Sequence, residues 1–121
     1  MEALGIVLVP SALGTVAATM PVEARTRQPM GSLHGGATVA LAESLGSVSS
    51  YLLIDRDTQA VVGIEVNANH LKVVRSGMVT ATGTIVHRGR ATHVWDIRVT
   101  NEMEELVALC RITNMIIDRK P

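Results

Sequence analysis

The sequence predicts an α+β domain: a short opening hairpin, one long apolar helix, then antiparallel strands that carry the helix on one face. Three observations point there. Residues from Gly35 to about Leu53 favour helix, and Asp55 with the polar segment after it supplies the stop. The runs downstream alternate in polarity with the two-residue period of strands. Their connections are too short for parallel crossovers, which predicts a meander of the later strands.

Gly5 to Val9 and Thr15 to Met20 are β-rich runs separated by Pro10, Ser11 and Gly14, a turn signature between antiparallel strands. Pro21 to Ser32 is a polar loop with Arg25, Arg27 and Gln28, and the helix follows it. In the next run Val62, Ile64, Val66, Ala68 and His70 share one parity while Glu65, Asn67 and Asn69 share the other, as in a half-buried strand. Lys72 to Gly77 is a polar connection, and Met78 to His87 is a Thr-rich strand. Arg88-Gly89-Arg90 reads as a hairpin turn with Gly89 available for a positive φ. Trp95, Ile97 and Val99 then oppose Asp96, Arg98 and Thr100 across one strand. Asn101 to Glu105 turns the chain, Leu106 to Ile117 is the last strand, and Asp118 to Pro121 is a tail.

A length of 121 residues with 47% hydrophobic content fits one globular domain, 1–121, and excludes a disordered chain. Eleven basic and eleven acidic side chains cancel without forming a basic stripe, so no nucleic-acid partner is expected. Cys110 is the only cysteine, which excludes an intrachain disulfide and a cysteine zinc site, so no metal is expected and a reducing cytoplasm fits best. Ala3 to Val22 is uncharged, yet Glu2 precedes it and Pro10, Gly14 and Pro21 interrupt it. Gln28 to Ile54 contains Pro29, His34 and Glu43, too polar for a lipid-exposed helix, so no membrane partner is expected. With Trp95 and Tyr51 as the only aromatic residues, the core must be built from small aliphatic side chains, and oligomerisation is expected to add stability.

Glu43 is the only formally charged side chain between Gln28 and Ile54. A lone carboxylate in so apolar a helix is expected to be partly desolvated, and desolvation suits a carboxylate to base or nucleophile work. The plainer reading is a carboxylate that points to solvent or caps a neighbour. Ser47 stands one turn on, where its hydroxyl either meets the carboxylate or merely packs. His34-Gly35-Gly36 opens the helix. Glycines there let a polarised carbonyl approach backbone N–H groups at the positive end of the helix, or serve an ordinary turn. At about 1.5 Å per residue, Gly35 and Glu43 stand roughly 12 Å apart along the helix, too far to meet at one carbonyl carbon. Either one of them is idle, or two chains with antiparallel helices share each site.

The segments Gln28-Pro29-Met30-Gly31-Ser32-Leu33-His34-Gly35-Gly36 and Ala42-Glu43-Ser44-Leu45-Gly46-Ser47 resemble the hotdog-fold acyl-CoA thioesterases. The likeness continues through Val62-Gly63-Ile64-Glu65-Val66-Asn67-Ala68-Asn69-His70 and His87-Arg88-Gly89-Arg90, covering nearly the whole chain. It is strongest to the subgroup acting on aromatic acyl-CoAs, including the 1,4-dihydroxy-2-naphthoyl-CoA, hydroxybenzoyl-type and phenylacetate-type thioesterases. The resemblance implies a sheet wrapped around a central helix, a homodimer with composite sites and often a tetramer. It implies Glu43 as catalytic nucleophile or base, Gly35 as the N–H that polarises the thioester, and Gln28, His34 and Ser47 close to the reacting group. His70 and Gly36 are implied at the substrate pocket, and Arg88 and Arg90, with Arg75, are candidates for the phosphates of coenzyme A or for a solvated turn. Coenzyme A then enters as part of the substrate, with no separate cofactor. Many such relatives carry an N-terminal helical segment, which is not expected in this sequence because its first strand is read close to residue 1, and the sequence has no Phe. Aliphatic acyl-CoA or acyl-carrier-protein hydrolysis, and acyl-CoA binding without catalysis, remain the alternatives. Cys110 reads as core packing.

Overall fold

His34 decides where the helix starts. Its backbone is extended (φ −71°, ψ 131°), and its ring Nδ1 accepts the Gly36 N–H at 2.9 Å, capping helix α1, Gly35–Tyr51. The computed structural model describes residues 1–11 and 16–119. The loop before the helix is fixed by buried Thr26, whose hydroxyl donates to the Pro21 carbonyl at 2.7 Å and whose own carbonyl accepts the His34 N–H at 2.7 Å. The helix buries Ala37, Thr38, Leu41, Ala42, Leu45, Gly46 and Ser50, a stripe at three- and four-residue spacing. Gly46 permits close approach to the sheet, since a Cβ there would lie 2.9 Å from Ile112 Cγ2.

Among the described residues, a 3-10 turn at Glu2–Leu4 precedes six antiparallel strands: β1 Val7–Pro10, β2 Val16–Pro21, β3 Gln59–His70, β4 Met78–Arg88, β5 Thr92–Thr100 and β6 Leu106–Asp118. They form one sheet in the order β1-β2-β4-β5-β6-β3. The expected opening hairpin is present as the β1–β2 pair; Gly14 of its turn, Thr15 at the start of its second run, and Lys120 and Pro121 of the tail lie outside the described residues. The α1 stripe packs on the inner face against Met20, Val79, Ala81, Ile97, Val99, Cys110 and Ile112, all nearly inaccessible. Cys110 is core, as expected, and its burial, helped by the nearby Asp96 charge, pushes the thiol pKa up.

The structure corrects several expectations. The meander holds only for β4-β5-β6; β3 lies beyond β6 at the sheet edge, and residues 71–77 cross the sheet end to reach β4. That crossing is held by Leu71 and Lys72 N–H groups on the Val107 carbonyl and by the Leu33 N–H on the Val74 carbonyl. The β3 parity is broken by a bulge between Gly63 and Glu65. Val62 therefore pairs with Met115 on the outer face, Ile64 is the extra residue, and Val66, Ala68 and His70 pair with buried Ile112, Cys110 and Ala108 on the helix side. A second bulge, at Val86, carries β4 through Arg88. Gly89 does not have a positive φ; its lack of Cβ matters because one would meet the Thr92 carbonyl oxygen at 3.1 Å. Asp118 belongs to β6 and not to a tail.

One buried polar cluster ties the far end of the helix to the sheet. Ser50 Oγ receives Trp95 Nε1 at 2.8 Å and Asn114 Nδ2 at 2.9 Å, and lies 2.9 Å from His93 Nδ1. With both acceptor positions filled, the Ser50 proton goes to His93 Nδ1, which assigns a neutral ring protonated on Nε2. Burial lowers the His93 pKa below its ordinary 6.5, and the charges of Arg88 and His87 act in the same direction. Above 6.5 the ring is neutral folded or unfolded. Below it the unfolded chain takes up the proton first, so stability falls with pH until the lowered folded value is passed. Thermal unfolding midpoints measured from pH 8 to 5 should fall more steeply for wild type than for His93→Gln, which is less stable throughout but lacks this titration.

Candidate active site

The residues singled out from the sequence fall along the line where α1 lies over β3. The helix runs antiparallel to the strand, so Gly35 sits against His70 near the strand's end and Glu43 sits beside Gly63 near its middle. A Cβ on Gly35 would lie 3.2 Å from His70 Nε2, so any larger residue there would press on the imidazole. Among the described residues no acceptor occupies the Gly35 N–H, the first of the helix, while the Gly36 N–H is taken by His34. The expected pair of free helix-start donors is thus one donor, at the end of α1 where the helix dipole is positive.

Glu43 is exposed in the single chain, which corrects the expected desolvation. Its neighbours Ala42 and Leu45 are fully buried, but Glu43 itself projects over β3, the strand whose outer edge has no partner among the described residues. A Cβ on Gly63 would stand 3.5 Å from Glu43 Oε2. Ser47, half-buried, follows Glu43 by one turn and lines a cleft of about 370 Å³ with Val48, Tyr51, Ala60 and Val61. Gly35 and Glu43 of one chain are on the same exposed line yet eight residues apart on one straight helix, so a single chain does not bring them to one carbonyl.

Gln28 is tied into its own loop. Its Oε1 accepts the Met30 N–H at 2.7 Å and its Nε2 donates to Ser32 Oγ at 2.5 Å, around the positive-φ Gly31. Arg88 donates to the Leu53 carbonyl at 3.1 Å, beyond the helix C-terminus. That places its guanidinium at the opposite end of α1 from Gly35. Arg90 is exposed in the β4–β5 turn, beside Gln59 and Asp118. Arg75 is exposed in the crossing segment, its carbonyl accepting Arg27 Nε at 3.2 Å. Among the described residues no three His, Cys, Asp or Glu side chains converge as metal ligands, and no helix is long and apolar enough to cross a membrane.

Sequence reasoning missed Asn114. It is fully buried beside Gly63, and its signal was legible: it is a polar residue at the inward parity of β6, between Ile112 and Ile116.

A helix wrapped by an antiparallel sheet, with a free helix-start N–H and an exposed helix carboxylate, defines a class. Residues 30–108 match the thioesterase superfamily, and the chain belongs to that superfamily: it is a thioester hydrolase of the hotdog fold. Among its relatives is the 1,4-dihydroxy-2-naphthoyl-CoA hydrolase of Escherichia coli, 47% identical over 103 residues, which are 85% of this chain and 75% of that protein. A mutant of thioesterase PA1618 from Pseudomonas aeruginosa, with glutamine replaced by alanine, superposes with a TM-score of 0.95 at 47% identity, covering 98% of this chain and 85% of that one. The Staphylococcus aureus protein SAV0944, 42% identical, is solved as a glutamate-to-alanine mutant (TM-score 0.92, covering 98% of each chain). It is also solved as a glutamine-to-alanine mutant (TM-score 0.90, covering 99% of this chain and 97% of that one).

Proposed function

We propose that this thioester hydrolase acts on acyl-CoA, with an aromatic acyl group of the 1,4-dihydroxy-2-naphthoyl or hydroxybenzoyl kind, in a homodimer whose two sites are each shared between subunits. The observation that carries this reading is the placement of Gly35 and Glu43 along the unpaired edge strand β3, eight residues apart on one helix. Two-fold pairing of β3 with its counterpart would set the helices antiparallel about a point near Val39. Each Glu43 then meets Gly35 of the partner subunit. An exposed twelve-residue edge strand carrying apolar Val62 and Ile64 supports such a partner, because open edges of this length otherwise invite aggregation. The partner would also remove Glu43 from water, supplying the desolvation that the single chain does not provide. Packing of two dimers into a tetramer is compatible with this arrangement.

In the shared site the Gly35 N–H holds the thioester oxygen as it gains negative charge, and Glu43 promotes attack at the carbonyl carbon. The acyl group enters the cleft walled by Val48, Tyr51, Ala60 and Val61, with Ser47 at its rim. Gln28, His34 and His70 flank the thioester, and Gly36 shapes the helix start. The glutamine and glutamate replaced in the Staphylococcus aureus protein stand fifteen positions apart, as Gln28 and Glu43 do here, which supports the carry-over. Arg90 is assigned to the coenzyme A phosphates in preference to Arg88, whose guanidinium is engaged with Leu53. The hydrolysis is assigned to the chain's own groups, without a cofactor, and a single buried unpaired thiol suits the cytoplasm. Thiol release from a panel of aromatic and aliphatic acyl-CoAs tests the substrate class. Aromatic esters are expected to give kcat/KM at least about tenfold higher, the scale of a modest pocket preference; preference for aliphatic chains would reassign the acyl group.

A further inference from the structure

Asn114 carries the one buried side-chain polar atom that has no hydrogen-bond partner among the described residues, its Oδ1. The other end of the amide is fully engaged, Nδ2 donating to the Gly46 carbonyl at 3.1 Å and to Ser50 Oγ at 2.9 Å, so the oxygen's position is fixed by the network. An acceptor buried without a donor is costly and calls for a reason. The reason is visible at Gly63, directly across the β3–β6 pair. The point where a Gly63 Cβ would stand is 3.7 Å from Asn114 Oδ1 and 3.5 Å from Glu43 Oε2. The backbone bulge beginning at this glycine loosens the ladder at the same place, as bulges beside active sites commonly do. A buried acceptor and the site carboxylate therefore share one small space that exists because residue 63 has no side chain.

We propose that this space seats the water that hydrolyses the thioester, and that Asn114 is its positioning residue. The inference rests on Glu43 being the carboxylate that promotes hydrolysis. Both neighbours are acceptors, so a water here points one O–H at Asn114 Oδ1 and the other at Glu43, leaving its lone pair for the carbonyl carbon. Glu43 is exposed, and its carboxylate makes no ion pair among the described residues, so it turns freely to receive the water. Glu43 then acts as a base. It takes one proton as the water oxygen bonds to the acyl carbon; the carbon–sulfur bond breaks, and the proton passes from Glu43 to the departing thiolate, giving acid and thiol.

Gly63→Ala tests the site, because its methyl would make ordinary contacts with Glu43 and Asn114 while occupying the water's place. The expected result is a kcat lowered by about 30-fold, in the range for a misplaced reactant, with KM within about threefold and an unchanged melting temperature. Wild-type kcat in Gly63→Ala beside an inactive Glu43→Gln overturns the water site alone. Full activity in Glu43→Gln overturns the reading beneath it as well. Should Gly63→Ala not fold, a single turnover of wild type in ¹⁸O-water decides. Label in the product acid with none in the peptide carrying Glu43 is expected, and label incorporated into Glu43 would show attack by the carboxylate itself and overturn the proposal.

Discussion

Glu43→Gln should lower kcat by about 10³-fold while leaving acyl-CoA binding within a few-fold, the expected result for a group that works in the transition state and not in binding. The substitution keeps size and hydrogen bonding but removes the ability to accept a proton or form a bond to carbon. It should also leave the fold intact, because Glu43 is exposed and no buried partner depends on its charge. Thiol release at saturating substrate gives kcat, and a direct binding measurement with a CoA thioester gives affinity. Unchanged kcat would remove Glu43 from the reaction. Lost binding with residual turnover would make it a substrate contact instead.

Gly35→Pro should cost about 10²–10³ in kcat, the loss found when one preorganised oxyanion donor is deleted. Proline suits this position for reasons specific to the chain. Gly35 is the first helical residue, where proline is tolerated because the N–H has no intrahelical partner. His34 before it is already extended at ψ 131°, the conformation required of a residue preceding proline. The change therefore removes the donor and spares the helix. Its side effect is crowding of His70, whose Nε2 lies 3.2 Å from a Cβ at residue 35, and Gly35→Ala controls for that by crowding the ring while keeping the N–H. Gly35→Ala should retain most of the activity that Gly35→Pro loses.

Much of this was legible in the sequence. The helix, the hairpin of β4 and β5 and the inward set Trp95, Ile97 and Val99 follow from long periodic runs, where many residues vote for one pattern. The two bulges were not legible. One inserted residue at Ile64 or Val86 leaves the run of apolar residues unbroken yet exchanges the faces beyond it, so Val62 reads as inward and is outward. The position of β3 beyond β6 was hidden for another reason: long-range pairing is decided by which edges remain free, and neighbouring strands in sequence are only the commonest partners. At the site, Glu43 and Gly35 stood out because a lone charge and a glycine pair break an otherwise uniform helix. Ser50 and His93 did not, since unremarkable polar residues on separate elements become a network only when the sheet closes on the helix, and Asn114 carried only the mark of its inward parity on β6. The hydrogen bond from Arg88 to the Leu53 carbonyl was not legible either, because it belongs to the helix end and has no mark in the arginine's own neighbourhood.

The sharing of each site between two chains is tested most directly by mixing inactive subunits. Glu43→Gln and Gly35→Pro chains, each nearly inactive alone, are unfolded together in equal amounts and refolded. A mixed dimer would hold one site with an intact Glu43 from one chain and an intact Gly35 N–H from the other, and a second site lacking both. With random pairing, half the dimers are mixed and one of their two sites works, so activity should return to about one quarter of wild type. Activity that stays at the level of the separate variants, while mixed dimers are demonstrably present, would show that Glu43 and Gly35 do not meet across the β3 edge.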